Sequence, residues 1–177
     1  MTLVHCTSMS KTPVKYFVAL LMADASLLPN VIGRLQKRLG ETDFAGEWLP
    51  FIHTNFYAAE MGTDLKRCII SFKELLPSQI LPKAKKWTAK IEDKFRVGGK
   101  RRVNIDAGYM DFCKVVLASG KFGGHKIALT EDCYADMIMR YEKGVWLPFP
   151  WCFPDFASGI YDQSFTKIRN LLKTKQN

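Results

Sequence analysis

The chain has 177 residues, of which 47% are hydrophobic and 12% aromatic, and it carries a formal net charge of +9. This length predicts one domain with a substantial core, and this composition excludes an intrinsically disordered chain. The first twelve residues lack the continuous apolar segment of a signal peptide. We therefore expect a flexible tail over residues 1–12 and a single domain over residues 13–177.

Cysteine usage and hydropathy bear on the compartment. Five cysteines are scattered along the chain, and no pair has the CxxC spacing of zinc or redox sites. The longest apolar run, residues 17–23, is far too short to span a bilayer. These features predict a cytoplasmic protein with reduced thiols and no membrane association.

The first half of the chain alternates strand-like and helix-like apolar patterns. Residues 15–23 are apolar on both alternating faces, which predicts a central strand covered on both sides. A helix with apolar i, i+3, i+4 spacing follows from Leu27 to Leu39 and ends at Gly40. The next predicted elements are an edge strand, a second central strand, a helix and a third strand, over residues 48–52, 67–72, 78–97 and 103–105.

This order, strand-helix-strand twice, is the split βαβ or ferredoxin-like plan. The rest of the chain predicts a helical turn over residues 111–118, a three-stranded β-meander and a closing helix with Phe165 and Ile168 on its apolar side. The meander strands are expected over residues 126–129, 134–141 and 145–149. Because the central strands are apolar on both faces, this C-terminal part should cover the second face. The predicted fold class is α+β, with a ferredoxin-like core extended by a β-meander and a helix.

Polar and apolar residues alternate in the strand that begins at Val103. Asn104 and Asp106 are two residues apart, which places both on one face of a strand. This spacing indicates a binding face, with Asp106 as a general base or hydroxyl-binding carboxylate kept ionised by Arg101 or Arg102. The alternatives are a solvent-exposed face or an Asp106 that caps the helical turn near Tyr109.

A glycine-rich loop, residues 119–125, follows that turn. It lacks the Walker A spacing, and a helix-loop-strand order would place no helix N-terminus against a phosphate. Its backbone amides could still bind an anion beside Lys121, and the other interpretation is a plain turn. Three histidines in total, without ligand spacing, predict no metal site.

Basic residues are concentrated between positions 83 and 102. They form either a solvated helix face or a surface that attracts phosphate-bearing ligands or nucleic acid. The run lacks the interleaved aromatic residues on which single-strand binders stack bases, so nucleic acid is the less favoured partner.

Several of these residues resemble motifs of a bacterial protein family of unknown function that some genomes label as a GTP-binding protein. The matching elements are Tyr57-x-x-Glu60-Met61-Gly62, Leu65-x-Arg67, Arg102-x-Asn104-x-Asp106-x-Gly108-Tyr109, Lys121 with His125, and Trp151-x-x-Pro154-Asp155. The resemblance runs from residue 13 almost to the C-terminus. The chain departs from the motifs at Ala107, where proline is usual, and at Ser119, Gly120 and Lys126. The resemblance implies no established activity, and no nucleotide motif supports the GTP label.

The sequence therefore predicts a polar pocket for a small anionic metabolite that bears phosphate or carboxylate. The candidate catalytic residues are Glu60, Asp106 and His125, and the candidate ligand-binding residues are Tyr57, Arg67, Arg102, Asn104, Tyr109 and Lys121. The alternatives are a nucleic-acid-binding module that uses the basic helix 83–102 and a non-catalytic scaffold that binds a partner through the Trp151 segment. The sequence leaves open whether the protein is an enzyme, which cofactor it uses and its oligomeric state.

Overall fold

A computed structural model describes residues 13–176, which form one large antiparallel sheet with helices on both of its faces. The tail predicted over residues 1–12 lies outside these residues. The strands are β1 (Val14–Met22), β2 (Thr42–Ala45), β3 (Leu49–Pro50), β4 (Lys66–Leu76), β5 (Val103–Met110), β6 (Lys114–Ser119), β7 (Ile127–Thr130), β8 (Cys133–Glu142) and β9 (Val145–Pro148). The helices are α1 (Leu28–Leu39), α2 (Ala58–Met61), α3 (Leu81–Lys94), α4 (Pro154–Ala157) and α5 (Asp162–Gln176).

The strand order in the sheet is β2-β4-β1-β5-β6-β8-β7, with β3 also paired to β4 and β9 to β8. All of the pairings are antiparallel, so the predicted α+β class is confirmed. Every residue of the central strand β1 is buried, as its apolar pattern predicts. Within residues 13–176, no helix has the length and apolar character needed to cross a membrane.

One face of the sheet is covered by α1 and α3. Tyr16, Val18 and Leu20 of β1 point to this side, where they form a core with Leu35 of α1 and Ile91 of α3. The two helices also contact each other. This core lies where the helical spacing of the sequence predicts it.

The other face is covered by the C-terminal part of the chain. Phe17 and Ala19 of β1 form a second core with Phe165 and Ile168 of α5 and with Trp146 of β9. The rings of Phe17 and Phe165 meet edge to face at 5.4 Å. The expectation that the C-terminal part covers the second face is confirmed.

The helical turn predicted over residues 111–118 is wrong, because this segment is a tight turn followed by β6. The Asp111 carboxylate accepts hydrogen bonds from the backbone N–H groups of Cys113 at 2.8 Å and Lys114 at 3.0 Å, which fixes the turn. Residues 115–118 are all buried, since both faces of β6 contact a core. The strand predicted over residues 103–105 was also too short, since β5 extends from Val103 to Met110.

The N-terminal half also differs from the prediction at one sheet edge. The strand expected over residues 48–52 is shorter in the structure, where only β3 forms. The preceding strand β2, which also pairs with β4, was not predicted. Both strands are short edge strands, where few side chains are buried and the apolar pattern is weak.

Strands β5 and β6 diverge at one end of the sheet. They pair only through Gly108–Met110 and Val115–Leu117. Beyond this point β5 stays with β1 back to Val103, whereas β6 stays with β8 as far as Ser119. The backbone N–H of Ile105, which has no β6 residue opposite it, donates instead to Glu92 of α3 at 2.6 Å. The result is a gap between two neighbouring strands, covered by α3 on one side.

Candidate functional site

A cavity of about 370 Å³ occupies the gap between β5 and β6, and we call it the β5–β6 pocket. Its polar lining residues are Thr54, Arg67, Lys85, Arg101, Asn104, Asp106, Ser119, Lys121, Lys126, Asp136 and Asp155. Its aromatic lining residues are Phe51, Phe56, Tyr57 and Phe153. A concave site with apolar walls and a few convergent polar groups is the usual form of a small-molecule site.

The guanidinium of Arg67 joins two strands and α4 at the pocket. It donates one hydrogen bond to Asp155 and another to Asp106 at 3.2 Å. The rings of Phe51 and Phe156 lie 4.6 and 5.3 Å from its central carbon. Burial lowers the pKa of Arg67, but the two carboxylates outweigh burial and raise this pKa above its usual value. Arg67 is therefore a fixed cation, and its Nε has no hydrogen-bond partner among residues 13–176.

Cross-strand register explains how Arg67 reaches the polar pair on β5. Arg67 on β4 and Asn104 on β5 both pair with Leu21 of β1, so the three side chains form one row across the sheet. Asn104 donates to Asp106 at 3.1 Å. The predicted shared face of Asn104 and Asp106 is confirmed. Asp106 caps no helix, because β5 continues through it to Met110.

Arg101 and Glu60 support this row from the side. The Glu60 carboxylate accepts hydrogen bonds from the backbone N–H of Arg101 at 3.1 Å and from its guanidinium at 2.8 and 2.7 Å. These hydrogen bonds lower the pKa of Glu60 to about 2. Arg101 in turn donates to Asn104 at 2.8 Å. Glu60 lies outside the pocket lining and orients Arg101. Its predicted catalytic role stays a prediction.

Two further candidate residues lie away from the pocket. Arg102 points to the surface, where it pairs with Asp24 at 2.8 Å. A bend at Arg102 ends the strand alternation, so its neighbour Arg101 faces the pocket instead. Tyr109 lies on the side of the sheet covered by α3, with its ring 6.0 Å from that of Tyr16.

The lysines of the pocket come from two elements. Lys85 extends from α3, whereas Lys121 and Lys126 belong to the loop after β6. Lys126 donates to Ser119 at 3.0 Å and lies 3.4 Å from Asp136. Among residues 13–176, neither Lys85 nor Lys121 has a carboxylate within 4.0 Å. These two lysines therefore line the pocket without an ion pair to any described residue.

His125 lies beside the pocket rather than in its lining. Its Nε2 is 3.5 Å from Oδ1 of Asp136, and its ring stacks on Trp151 at 4.8 Å. The Asp136 side chain is 2% exposed, and its Oδ1 accepts no hydrogen bond from residues 13–176. The predicted catalytic role of His125 stays a prediction.

Tyr57 is in the pocket, as the sequence predicts. Burial raises the pKa of Tyr57 to about 12, so its phenol is a neutral hydrogen-bond donor at physiological pH. The ring also lies 5.8 Å from that of Phe51 and forms part of the aromatic wall.

The pocket brings together five of the nine predicted residues: Tyr57, Arg67, Asn104, Asp106 and Lys121. The predicted set omits five charged lining residues, namely Lys85, Arg101, Lys126, Asp136 and Asp155. Asp155 stands in the Trp151-x-x-Pro154-Asp155 element of the family resemblance, which is the one signal that could have found it. Among the described residues, no group of three His, Cys, Asp or Glu side chains is arranged to hold a metal ion.

The fold and the site together define an α+β protein with a cation-rich cavity in a divided antiparallel sheet. Residues 12–172 match the family described as Domain of unknown function (DUF4416), and the chain belongs to this family. This confirms the resemblance to an uncharacterised family. No curated protein and no solved structure matches the chain.

Proposed function

We propose that the β5–β6 pocket binds a small metabolite bearing phosphate or carboxylate. The observation that carries this proposal is the presence of Lys85 and Lys121 in the lining without a carboxylate partner. Two like charges that face one cavity repel each other, and an anion between them removes that repulsion. Hydrogen bonds from ammonium groups to phosphate or carboxylate are also about twice as strong as neutral ones.

The other charges of the pocket are already engaged, and this supports a preformed site. Arg67 is held by Asp106 and Asp155, and Arg101 is held by Glu60. A ligand therefore meets side chains whose positions are fixed in advance, which lowers the entropy cost of binding.

Asp106 is the residue best placed to act on a bound ligand. Its Oδ2 accepts hydrogen bonds from Arg67 and Asn104, whereas its Oδ1 accepts none from residues 13–176. The side chain is 24% exposed, so Oδ1 can meet a ligand hydroxyl. In this role Asp106 holds the hydroxyl or accepts its proton as a general base.

We also infer that the N-terminal half follows the split βαβ plan. The order β2-β4-β1-β5 is antiparallel throughout, and α1 and α3 pack on the same face. This arrangement supports a ferredoxin-like core to which β6 to β9 are added at the β5 edge.

Binding is tested by thermal unfolding of the full chain with increasing inorganic phosphate. A ligand that binds only the native state raises Tm with concentration. Lys85→Met and Lys121→Met should abolish most of this increase, whereas Lys90→Met, an exposed position of α3 outside the pocket, should keep it. An equal Tm increase for all three variants and the parent would contradict binding in the pocket.

A further inference from the structure

We infer that the ligand of the β5–β6 pocket carries an aromatic ring beside its anionic group. This inference rests on the proposed function and adds the chemical class of the ligand. It follows from the aromatic residues that lie beside the cations in the lining, from the exposure of two phenylalanines and from the size of the cavity.

The aromatic residues come from chain segments that supply no pocket lysine. Phe51, Phe56 and Tyr57 belong to the segment between β3 and α2, and Phe153 directly precedes α4. The pocket lysines belong to α3 and to the loop after β6. In the folded protein these groups lie side by side, with Arg67 over the Phe51 ring, Arg101 over Tyr57 and Lys121 over Phe56. A ligand that contacts both kinds of group must have an anionic part and an apolar part.

Two of these rings are left open to solvent. Phe56 is 64% exposed and Phe153 is 47% exposed, although both line one cavity. A single exposed phenylalanine needs no explanation, but two that converge on a polar cavity from distant parts of the chain mark a binding surface. A ligand ring bound against either phenylalanine would remove apolar area from water.

Lys121 lies directly beside one of these aromatic rings. Its ammonium nitrogen lies 4.6 Å from the ring centroid of Phe56, a cation–π distance. An anionic group bound to Lys121 therefore has its remaining atoms beside the Phe56 ring. A ring attached directly to the anionic group matches this short separation better than one at the end of a long chain.

The cavity volume sets the size of the ligand. At about 370 Å³ it falls near the lower end of the range for small-molecule sites. This volume exceeds what inorganic phosphate alone would occupy and suits a compact ligand of one or two rings.

The test compares inorganic phosphate, phenyl phosphate and cyclohexyl phosphate by isothermal titration calorimetry on the full chain. We expect phenyl phosphate to bind about tenfold more tightly than inorganic phosphate, a difference of about 1.4 kcal/mol that lies within the range of an aromatic contact. Cyclohexyl phosphate, which has the apolar area but no π face, should lie between them. Phe153→Ala should bring phenyl phosphate toward the affinity of inorganic phosphate and leave inorganic phosphate unchanged. Phe56→Ala should reduce the preference for phenyl phosphate over inorganic phosphate.

Phe122→Ala is the matched control. Phe122 lies in the loop after β6 and is 78% exposed, but it does not line the pocket. It should leave all three affinities unchanged. Equal affinity for phenyl and inorganic phosphate, or an equal loss in the Phe122 and Phe153 variants, would overturn the aromatic ligand while the anion site stands. Absence of binding by all three probes would overturn the anion site itself.

Discussion

The Arg67 guanidinium is buried between two carboxylates and two aromatic rings. Its partner Asp155 is almost fully buried, whereas Asp106 is partly exposed at the pocket. A buried carboxylate without a counter-charge is strongly unfavourable. Arg67 therefore stabilises the fold through Asp155 and shapes the pocket through Asp106.

Replacing Arg67 with Met should lower the free energy of unfolding by about 3–5 kcal/mol, because Asp155 would be left buried without its charged partner. Arg140→Met provides the control, since Arg140 forms an ion pair with Glu142 in which both side chains are about half exposed. Exposed pairs of this kind contribute at most about 1 kcal/mol. Urea unfolding measures both. Similar losses in the two variants would contradict a buried charge network at Arg67.

Glu60 gives a pH-dependent prediction. Arg101 lowers its pKa to about 2 in the folded protein, from about 4.3 in an unfolded chain. Its contribution to stability is therefore complete above about pH 5 and is lost as the pH falls toward 2. The stability difference between the parent and Glu60→Gln, measured by urea unfolding, should be largest at pH 6 and shrink steadily by pH 3. A difference that stays constant over this range would show that Arg101 does not hold the ionised carboxylate.

Some of the site could be predicted at the level of single residues. The two-residue spacing of Asn104 and Asp106 is sufficient to place them on one face, because strand geometry fixes that alternation. The choice between Arg101 and Arg102 could not be made in this way, since the bend at Arg102 breaks the alternation just before β5 begins. Arg101 is held at the pocket by Glu60, which lies 41 residues away in the sequence.

At the scale of elements, Gly108 lets β5, β6 and β1 approach closely just before the strands diverge. A side chain at this position would place its Cβ 2.7 Å from the carbonyl oxygen of Val116 and 2.7 Å from the ring of Phe17. The strand predicted over residues 103–105 ended before Gly108, but in the folded protein Gly108 lies inside β5 and its role is close packing.

Gly108→Ala should therefore lower the free energy of unfolding by about 1–3 kcal/mol, the usual range for overpacking a core. Gly33→Ala is the control, because Gly33 is in α1 and a Cβ there would meet nothing within 4 Å. It should raise stability by up to about 1 kcal/mol through helix propensity. Chemical denaturation of both variants is the measurement. A neutral Gly108→Ala would contradict the close approach of β6.

The central elements were predictable, and β6 was not, for one physical reason. In β1 and β4 the apolar pattern itself reports burial on both faces. Residues 111–118 are equally apolar, and a short apolar run does not distinguish a helix from a buried strand. Pairing with β5 and β8, which is set by distant residues, makes this segment a strand.

At the scale of the whole molecule, the basic residues between positions 83 and 102 have different partners and surroundings in the folded protein. Lys86 pairs with Asp132 at 3.3 Å, Arg96 with Asp93 at 2.9 Å, and Arg101 and Arg102 with Glu60 and Asp24. Lys85 turns into the pocket. In the described part of α3, Lys83, Lys90 and Lys94 remain exposed without an ion pair, which is fewer than the roughly 6–10 phosphate contacts of a strongly salt-dependent nucleic-acid binder.

We therefore expect the protein to bind nucleic acid weakly, with no preference for a sequence or for single over double strands. Fluorescence anisotropy with labelled single-stranded RNA and duplex DNA at 50 mM and 200 mM salt measures this. Binding driven by phosphate contacts weakens steeply with salt in proportion to their number. Tight binding that is reduced by Lys90→Met together with Lys94→Met, two exposed positions of α3, would establish the nucleic-acid alternative instead.

The assembly of the pocket is the part of the molecule that local sequence could not reveal. Lys85, Asp136 and Asp155 come from three distant segments, and of these only Asp155 stands in a motif, the Trp151-x-x-Pro154-Asp155 element. They meet because β5 and β6 diverge, which is a property of the sheet as a whole.

A crystal of the full chain soaked in tungstate, a phosphate-like anion with strong anomalous scattering, tests the central claim most directly. The predicted result is an anomalous peak in the β5–β6 pocket within hydrogen-bond distance of Lys85 or Lys121, lost in a crystal of Lys121→Met. Peaks confined to exposed lysines such as Lys83 and Lys90, with none in the pocket, would contradict an anion site in the gap between β5 and β6.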